Sequence, residues 1–141
     1  MTALLRVTLA AALAVFALTA TGCSAAAKAP ELDGTSWVLT AWSVSSASAT
    51  DFKTTVTFAD GTIGGQAAVN SYGGQYEVET DGTLVTTEIA RTLMAGSDEA
   101  NHAEDVYFEL LAQADKVAVE GDTLTLTDAN GNELLVFTSA Q

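Results

Sequence analysis

Few side chains in this sequence are of the types that do covalent or acid–base chemistry. One histidine, His102, and one cysteine, Cys23, occur among 141 residues. A nucleophilic mechanism needs a Ser, Thr or Cys beside a base, usually His, so His102 is the single imidazole available for one. It lies among Asp98, Glu99, Asn101, Glu104 and Asp105. On a helix, Asp98 (i−4) and Asp105 (i+3) share its face, which makes a carboxylate–imidazole cation site one reading. A solvated acidic helix face is the simpler one, because three ligands on an exposed surface bind weakly. Asp128-Ala129-Asn130-Gly131-Asn132-Glu133 has the residue types of a calcium loop but lacks the twelve-residue spacing and terminal bidentate Glu. A type I′ hairpin at Asn130-Gly131 explains it better. The 18 acidic residues allow many carboxylate pairs, and no spacing selects one for glycoside chemistry. The chain therefore reads as a non-enzyme that needs neither a cofactor nor a metal.

Cys23 has a different use. Arg6 is the only charge before Lys28, and an apolar run through Ala10–Ala20 is followed by Thr21-Gly22-Cys23. A basic start, a short apolar run and small residues at the end describe an export signal. The run is short for a spanning helix, which needs roughly 20 apolar residues. Ala20-Thr21-Gly22 before the cysteine resembles a lipobox. This implies residues 1–22 as a lipoprotein signal peptide and Cys23 as the lipidated first residue, anchoring the chain to the extracytoplasmic face of a bacterial envelope membrane. Acyl chains contribute about 0.8 kcal/mol per buried CH₂. An ordinary secreted protein with an incidental cysteine is the alternative. Residues 23–30, small and closing on the chain's only proline, suit a flexible tether. Residues 31–141 are one domain's worth of chain.

Charge excludes some partners. Without Arg6, four basic residues face 18 acidic ones, a balance of −14. Nucleic acid binding needs clustered Lys and Arg, and anionic lipid would repel such a surface. Solubility is the plain account of the acidity, and a protein or small-molecule partner stays open.

The elements that would position these residues are mostly strands. Ser36–Trp42 alternates with a period of two, putting Trp37 and Leu39 on one face and Trp42 on the other. Lys53–Ala59 turns Val56 and Phe58 inward, and Thr62–Gly65 follows a turn at Asp60-Gly61. Gln75–Glu79 and Thr83–Glu88 flank Asp81-Gly82, a strong hairpin signal. Lys116–Val119, Thr123–Thr127 and Glu133–Thr138 complete the set, rich in β-branched residues. One helix is predicted over Asp98–Gln113. Ser97 is its N-cap, and Asp98 and Glu99 sit in the first turn. Ala103, Val106, Tyr107, Leu110 and Leu111 make one apolar stripe along it. A single helix among about seven strands must bury that stripe against the sheet, an α+β arrangement.

One stretch, Gly64 to Tyr76, concentrates four glycines, Asn70, Tyr72 and Tyr76. It reads as a structural corner: a strand end entering a tight turn, or a ligand loop. Trp42, Tyr72 and Tyr76 are candidates to line a shallow binding site. Gly65…Val69-Asn70-x-Tyr72-x-Gly74-x-Tyr76 resembles the signature of the META-domain family, the HslJ-like heat-shock and envelope proteins. Thr92-Leu93-Met94-Ala95-Gly96 resembles that family's second motif. Leu32-x-Gly34-Thr35-x-Trp37-x-Leu39 and Leu124-x-Leu126-x-Asp128-x-x-Gly131 match its start and end. The resemblance covers about Leu32 to Phe137. It implies an antiparallel sheet curved around one helix, no catalysis, and a role in binding, envelope maintenance or stress. Both family cysteines are absent, with Val69 and Gly96 in their places. If those cysteines pair in relatives, losing both together avoids a stray thiol outside the cell. Two other roles remain open: a small-ligand or lipid carrier with a cavity between sheet and helix, and an inhibitor or accessory subunit using a 70–76 loop.

Overall fold

The computed structural model describes residues 28–44 and 46–140. Cys23, the signal segment 1–22 and residues 23–27 of the tether lie outside them. The described chain forms β1 (Thr35–Trp42), β2 (Thr55–Ala59), β3 (Thr62–Gln66), β4 (Ser71–Val78), β5 (Leu84–Arg91), α1 (Asp98–Gln113), β6 (Lys116–Glu120), β7 (Thr123–Thr127) and β8 (Glu133–Ser139). Each strand-like run of the sequence is a strand, making eight. The fold is α+β: one antiparallel sheet in the order β5-β4-β3-β2-β1-β8-β7-β6, curved around the single helix.

The sheet's two margins meet at one point. Thr83, just before β5, lies opposite Lys116 on β6. The Leu84 amide donates to the Asp115 carbonyl (2.8 Å) and the Val117 amide to the Gly82 carbonyl (3.0 Å). Beyond this join β5 has no second strand partner among the described residues, and Arg91 at its end reaches Glu104 and Asp105 of α1.

The helix forms for local reasons and stays for tertiary ones. The Ser97 hydroxyl accepts from the Ala100 amide (3.2 Å), and Asp98 and Glu99 occupy the positive end of the dipole. Its stripe of Ala103, Val106, Tyr107, Leu110 and Leu111 is buried as the periodicity requires. That stripe packs with Phe58, Ile63, Leu39 and Phe137 of the sheet in one core. Burying one such large side chain is worth about 1.5–3 kcal/mol.

Three expectations need correction. Trp42 does not face away from Trp37. A bulge between Leu39 and Ala41 adds one residue to β1, so Trp42 sits opposite Leu135 while Leu39 sits opposite Phe137. The extra residue reverses the alternation. Trp42 thus rejoins the core face, half-buried, with its indole N–H donating to the Ala47 carbonyl (3.0 Å). Second, the expected loop at 70–76 is mostly strand β4. Gly73 and Gly74 lie in the β3–β4–β5 ladder, where their lack of side chains permits close packing. A Cβ on Gly74 would stand 2.7 Å from the Thr87 carbonyl and from Ile89 Cδ1, and one on Gly65 would overlap the Thr55 carbonyl. Third, Asn130-Gly131 is not a type I′ turn, which needs positive φ at both positions. Only Gly131 has it. The Asp128 carboxylate organises the loop instead, accepting from the Asn130 and Asn132 amides and from Asn132 Nδ2.

Candidate functional site

The densest polar constellation lies where the β3–β4 turn, the end of β5 and the first half of α1 converge. Glu104 falls inside the helix's apolar stripe, one turn after Ala100 and just before Tyr107, and is only 3 % exposed. A carboxylate taken from water needs partners, and Glu104 has four. One oxygen accepts from the backbone amides of Val69 (2.8 Å) and Asn70 (2.6 Å). The other accepts from Asn70 Nδ2 (2.7 Å) and the Arg91 guanidinium (3.2 Å). Arg91 also pairs with Asp105 (3.1 Å), and its guanidinium carbon lies 4.8 Å from the Phe108 ring centroid.

Asn70 carries the network onward. Its Oδ1 accepts from the Thr92 hydroxyl and the Met94 amide, both at 2.7 Å, and Nδ2 also reaches the Met94 carbonyl (3.3 Å). One buried side chain therefore ties the β3–β4 turn to the segment between β5 and α1. Asn101 repeats the device, accepting from the Gly96 amide and donating to the Gly96 carbonyl, both at 3.1 Å. Among the described residues no buried side-chain nitrogen or oxygen lacks a partner. With its acceptor sites occupied, Glu104 holds structure and is not placed to move protons for a substrate.

Below the clasp, the Tyr72 hydroxyl donates to the Thr55 carbonyl (2.9 Å) and shares a 2.6 Å hydrogen bond with the Tyr107 hydroxyl. Burial pushes both phenols well above their ordinary value of 10.0. Gly65, Asn70, Tyr72, Gly74, Thr92 and the Met94 backbone are thus joints of one structural unit. The Met94 side chain points out, 67 % exposed, beside Leu93 at 94 %.

The aromatic site expected from Trp42, Tyr72 and Tyr76 does not assemble. Strands β2 and β3 separate β1 from β4, Tyr72 is buried, and the Tyr76 ring packs edge-on to Phe58 at 4.8 Å. Asp98, His102 and Asp105 are all exposed. Among the described residues no group of three His, Cys, Asp or Glu side chains is placed to hold a metal ion. Asp105 is engaged by Arg91; Ser46 and Ser48 share a surface hollow with His102, and Ser48 bonds Asp51 (2.9 Å). Two open concavities flank the clasp. One of about 440 Å³ lies between β5 and α1, lined by Thr86, Ile89, Arg91, Phe108, Leu111 and Ala112. The other, about 280 Å³, lies beside Leu93 and Met94.

Sequence reasoning missed Glu104, Arg91 and Leu93. A carboxylate inside an apolar stripe was the signal for Glu104, since the 3.6-residue period places it with Ala100 and Leu111. Arg91 had no such signal, because its partners lie on another element.

The comparisons agree with this architecture. A solved structure from Burkholderia xenovorans, determined by NMR, is 26 % identical, covers 78 % of this chain and 84 % of its own, and superposes with a TM-score of 0.64. A second NMR structure, 21 % identical over 76 % of this chain and 90 % of its own, gives 0.57 and shows the shared fold. A DUF4847-family protein from Bacteroides vulgatus, 22 % identical over 62 % of this chain and 61 % of its own, gives 0.50. No curated protein is detectably similar. The model of the META domain matches residues 30–141, and the chain belongs to the META-domain family.

Proposed function

We propose that this chain is a lipid-anchored binding protein of the bacterial cell envelope, an HslJ-like META protein working in envelope maintenance or stress. It is exported by residues 1–22, held through Cys23, and joined by the tether 23–30 to a non-catalytic domain. The observation that carries this reading is where the family match begins. It starts at residue 30 and leaves ahead of it a basic residue near the start (Arg6), an apolar run, the chain's only cysteine and Lys28. The test is intact mass of protein purified from membranes of its native host. A mass of residues 23–141 plus lipid supports the reading; an unmodified thiol on a longer or shorter chain sinks it. Cys23→Ala should release the protein from the membrane fraction.

Val69 and Gly96 fit the reading that they stand where relatives carry a cysteine pair. A Cβ built on Gly96 lies 2.5 Å from Val69 Cγ2, so the two positions touch.

A second role has its own support. The groove of about 440 Å³ between β5 and α1 falls within the usual range of ligand sites, and it fits a small-ligand or lipid carrier. The inhibitor reading moves from the 70–76 stretch, now strand, to the segment 92–97, which carries the exposed side chains. Equilibrium binding of a fluorescent fatty acid separates the two: saturable uptake lost in Ile89→Glu favours the carrier, and its absence leaves the protein-binding role.

A further inference from the structure

Leu93 and Met94 are 94 % and 67 % exposed, and among the described residues the other exposed large apolar side chains, Val44 and Val85, each keep less than half their surface in water. A slack loop would let the two side chains fold back. Here the backbone is fixed at Thr92 by the Ser71 carbonyl (3.0 Å), at Met94 by Asn70, and at Gly96 by Asn101. The fold therefore holds an apolar knob in water on a rigid base, with its ordering entropy already spent.

Charge and position say what the knob meets. In the adjoining hollow of about 280 Å³ Arg91 is already paired with Glu104 and Asp105, and from Lys28 onward the chain sets 18 acidic residues against only three other basic ones. Asp98 is exposed at the start of α1. An anionic bilayer is repelled by such a surface, and a second copy would bring like charge against it. Ala29 and Pro30, where the tether joins the domain, lie beside Gly61 and Tyr76–Val78. The knob is at the other end of β4, about 23 Å away at strand rise. The knob thus lies at the end of the domain away from where the tether joins it.

We propose that Leu93 and Met94 dock a protein partner that offers an apolar pocket rimmed by Lys or Arg. This rests on the anchored binding role above and names its contact surface and the chemistry of the partner. The test places benzoylphenylalanine at Leu93 of the full chain in membranes of its native host, with Val85 as the control site. The expected result is one protein adduct at Leu93, absent at Val85, whose crosslinked peptide contains Lys or Arg. Its yield should fall roughly fivefold in Asp98→Asn/Asp105→Asn, as rim charges act on association; Asp98→Asn alone serves if the double variant does not fold. Adducts to lipid, to a second copy or equally from Val85 overturn the proposal. So does a protein adduct indifferent to those charges, or no adduct. Intact mass of the same preparation separates the two readings. Lipid on Cys23 without an adduct defeats only the docking surface; the charge-sensitive adduct from an unlipidated chain defeats only the anchor.

Discussion

Strand β5 is tied down by charge at both ends, in opposite ways. At Arg91 the tie is the buried clasp of Glu104 and Asn70. At Thr83 it is a surface pair in which Lys116 Nζ donates to Asp81 (2.9 Å) and the Thr83 hydroxyl (2.6 Å). The bond from Lys116, and after it the Thr83 amide donating to Asp81 (2.9 Å), hold the Asp81 carboxyl well below its usual range, and the Asp81 bond raises Lys116. Both cations are about equally exposed, but at the Arg91 end the Glu104 carboxylate is buried, whereas at the other end water reaches Asp81 as well. Exposed ion pairs contribute little, whereas removing one partner of a buried network strands the rest. The end with the buried carboxylate is therefore expected to matter more for stability, and it also holds up the knob.

The sharpest way to break this contrast is Glu104→Ala. It leaves the Val69 and Asn70 amides without an acceptor, while Arg91 keeps Asp105, and denaturant unfolding should show a loss of about 2–5 kcal/mol. A loss below about 1 kcal/mol would mean the clasp is no stronger than a surface tie. Next is a gain at the same end: Val69→Cys with Gly96→Cys should oxidise spontaneously. Closing a loop of roughly 28 residues adds about 3.6 kcal/mol in the chain-entropy model. Failure of the free thiols to pair would remove the case for a former cysteine site.

Alkaline pH probes the buried phenols below the clasp. Their folded pKa lies above the ordinary 10.0, so the unfolded chain loses protons first. Stability is unaffected below about pH 10 and then falls by about 1.4 kcal/mol per pH unit for each buried Tyr, until the folded phenols ionise. Melting curves from pH 8 to 11.5 should show this, with a shallower slope in Tyr72→Phe. Leu93→Ser should shift the melting midpoint little, because the side chain is in water, and a large loss would mean it packs after all. The smallest effect belongs to Asp81→Asn. Any contribution of that pair is present above the ordinary carboxylate pKa and lost in acid, and it should vanish into the noise at high salt.

Much of the fold was readable because it is local. Ser97 and its acidic first turn start the helix, the 103–111 stripe aims it, and alternation finds the strands. The places where reading failed are those where a distant element decides. The β1 bulge reversed Trp42, and nothing in Ser36–Trp42 announces it, since it follows from pairing with β8. Gly73 and Gly74 suggested a turn, but a strand tolerates glycine where neighbouring backbones crowd. The site followed the same division. Asn70 was singled out by sequence, while Arg91 and Leu93 were not.

From the residues alone come the α+β elements, the acidic composition and the scarcity of catalytic groups. Those depend on composition and short-range periodicity, which the chain carries everywhere. Tertiary structure alone decided that Glu104 is a buried acceptor, that Val69 touches Gly96, and that Leu93 and Met94 stand in water on a fixed base. Each of those depends on groups far apart in sequence being brought together by the fold, where the degree of burial sets the strength of a polar contact.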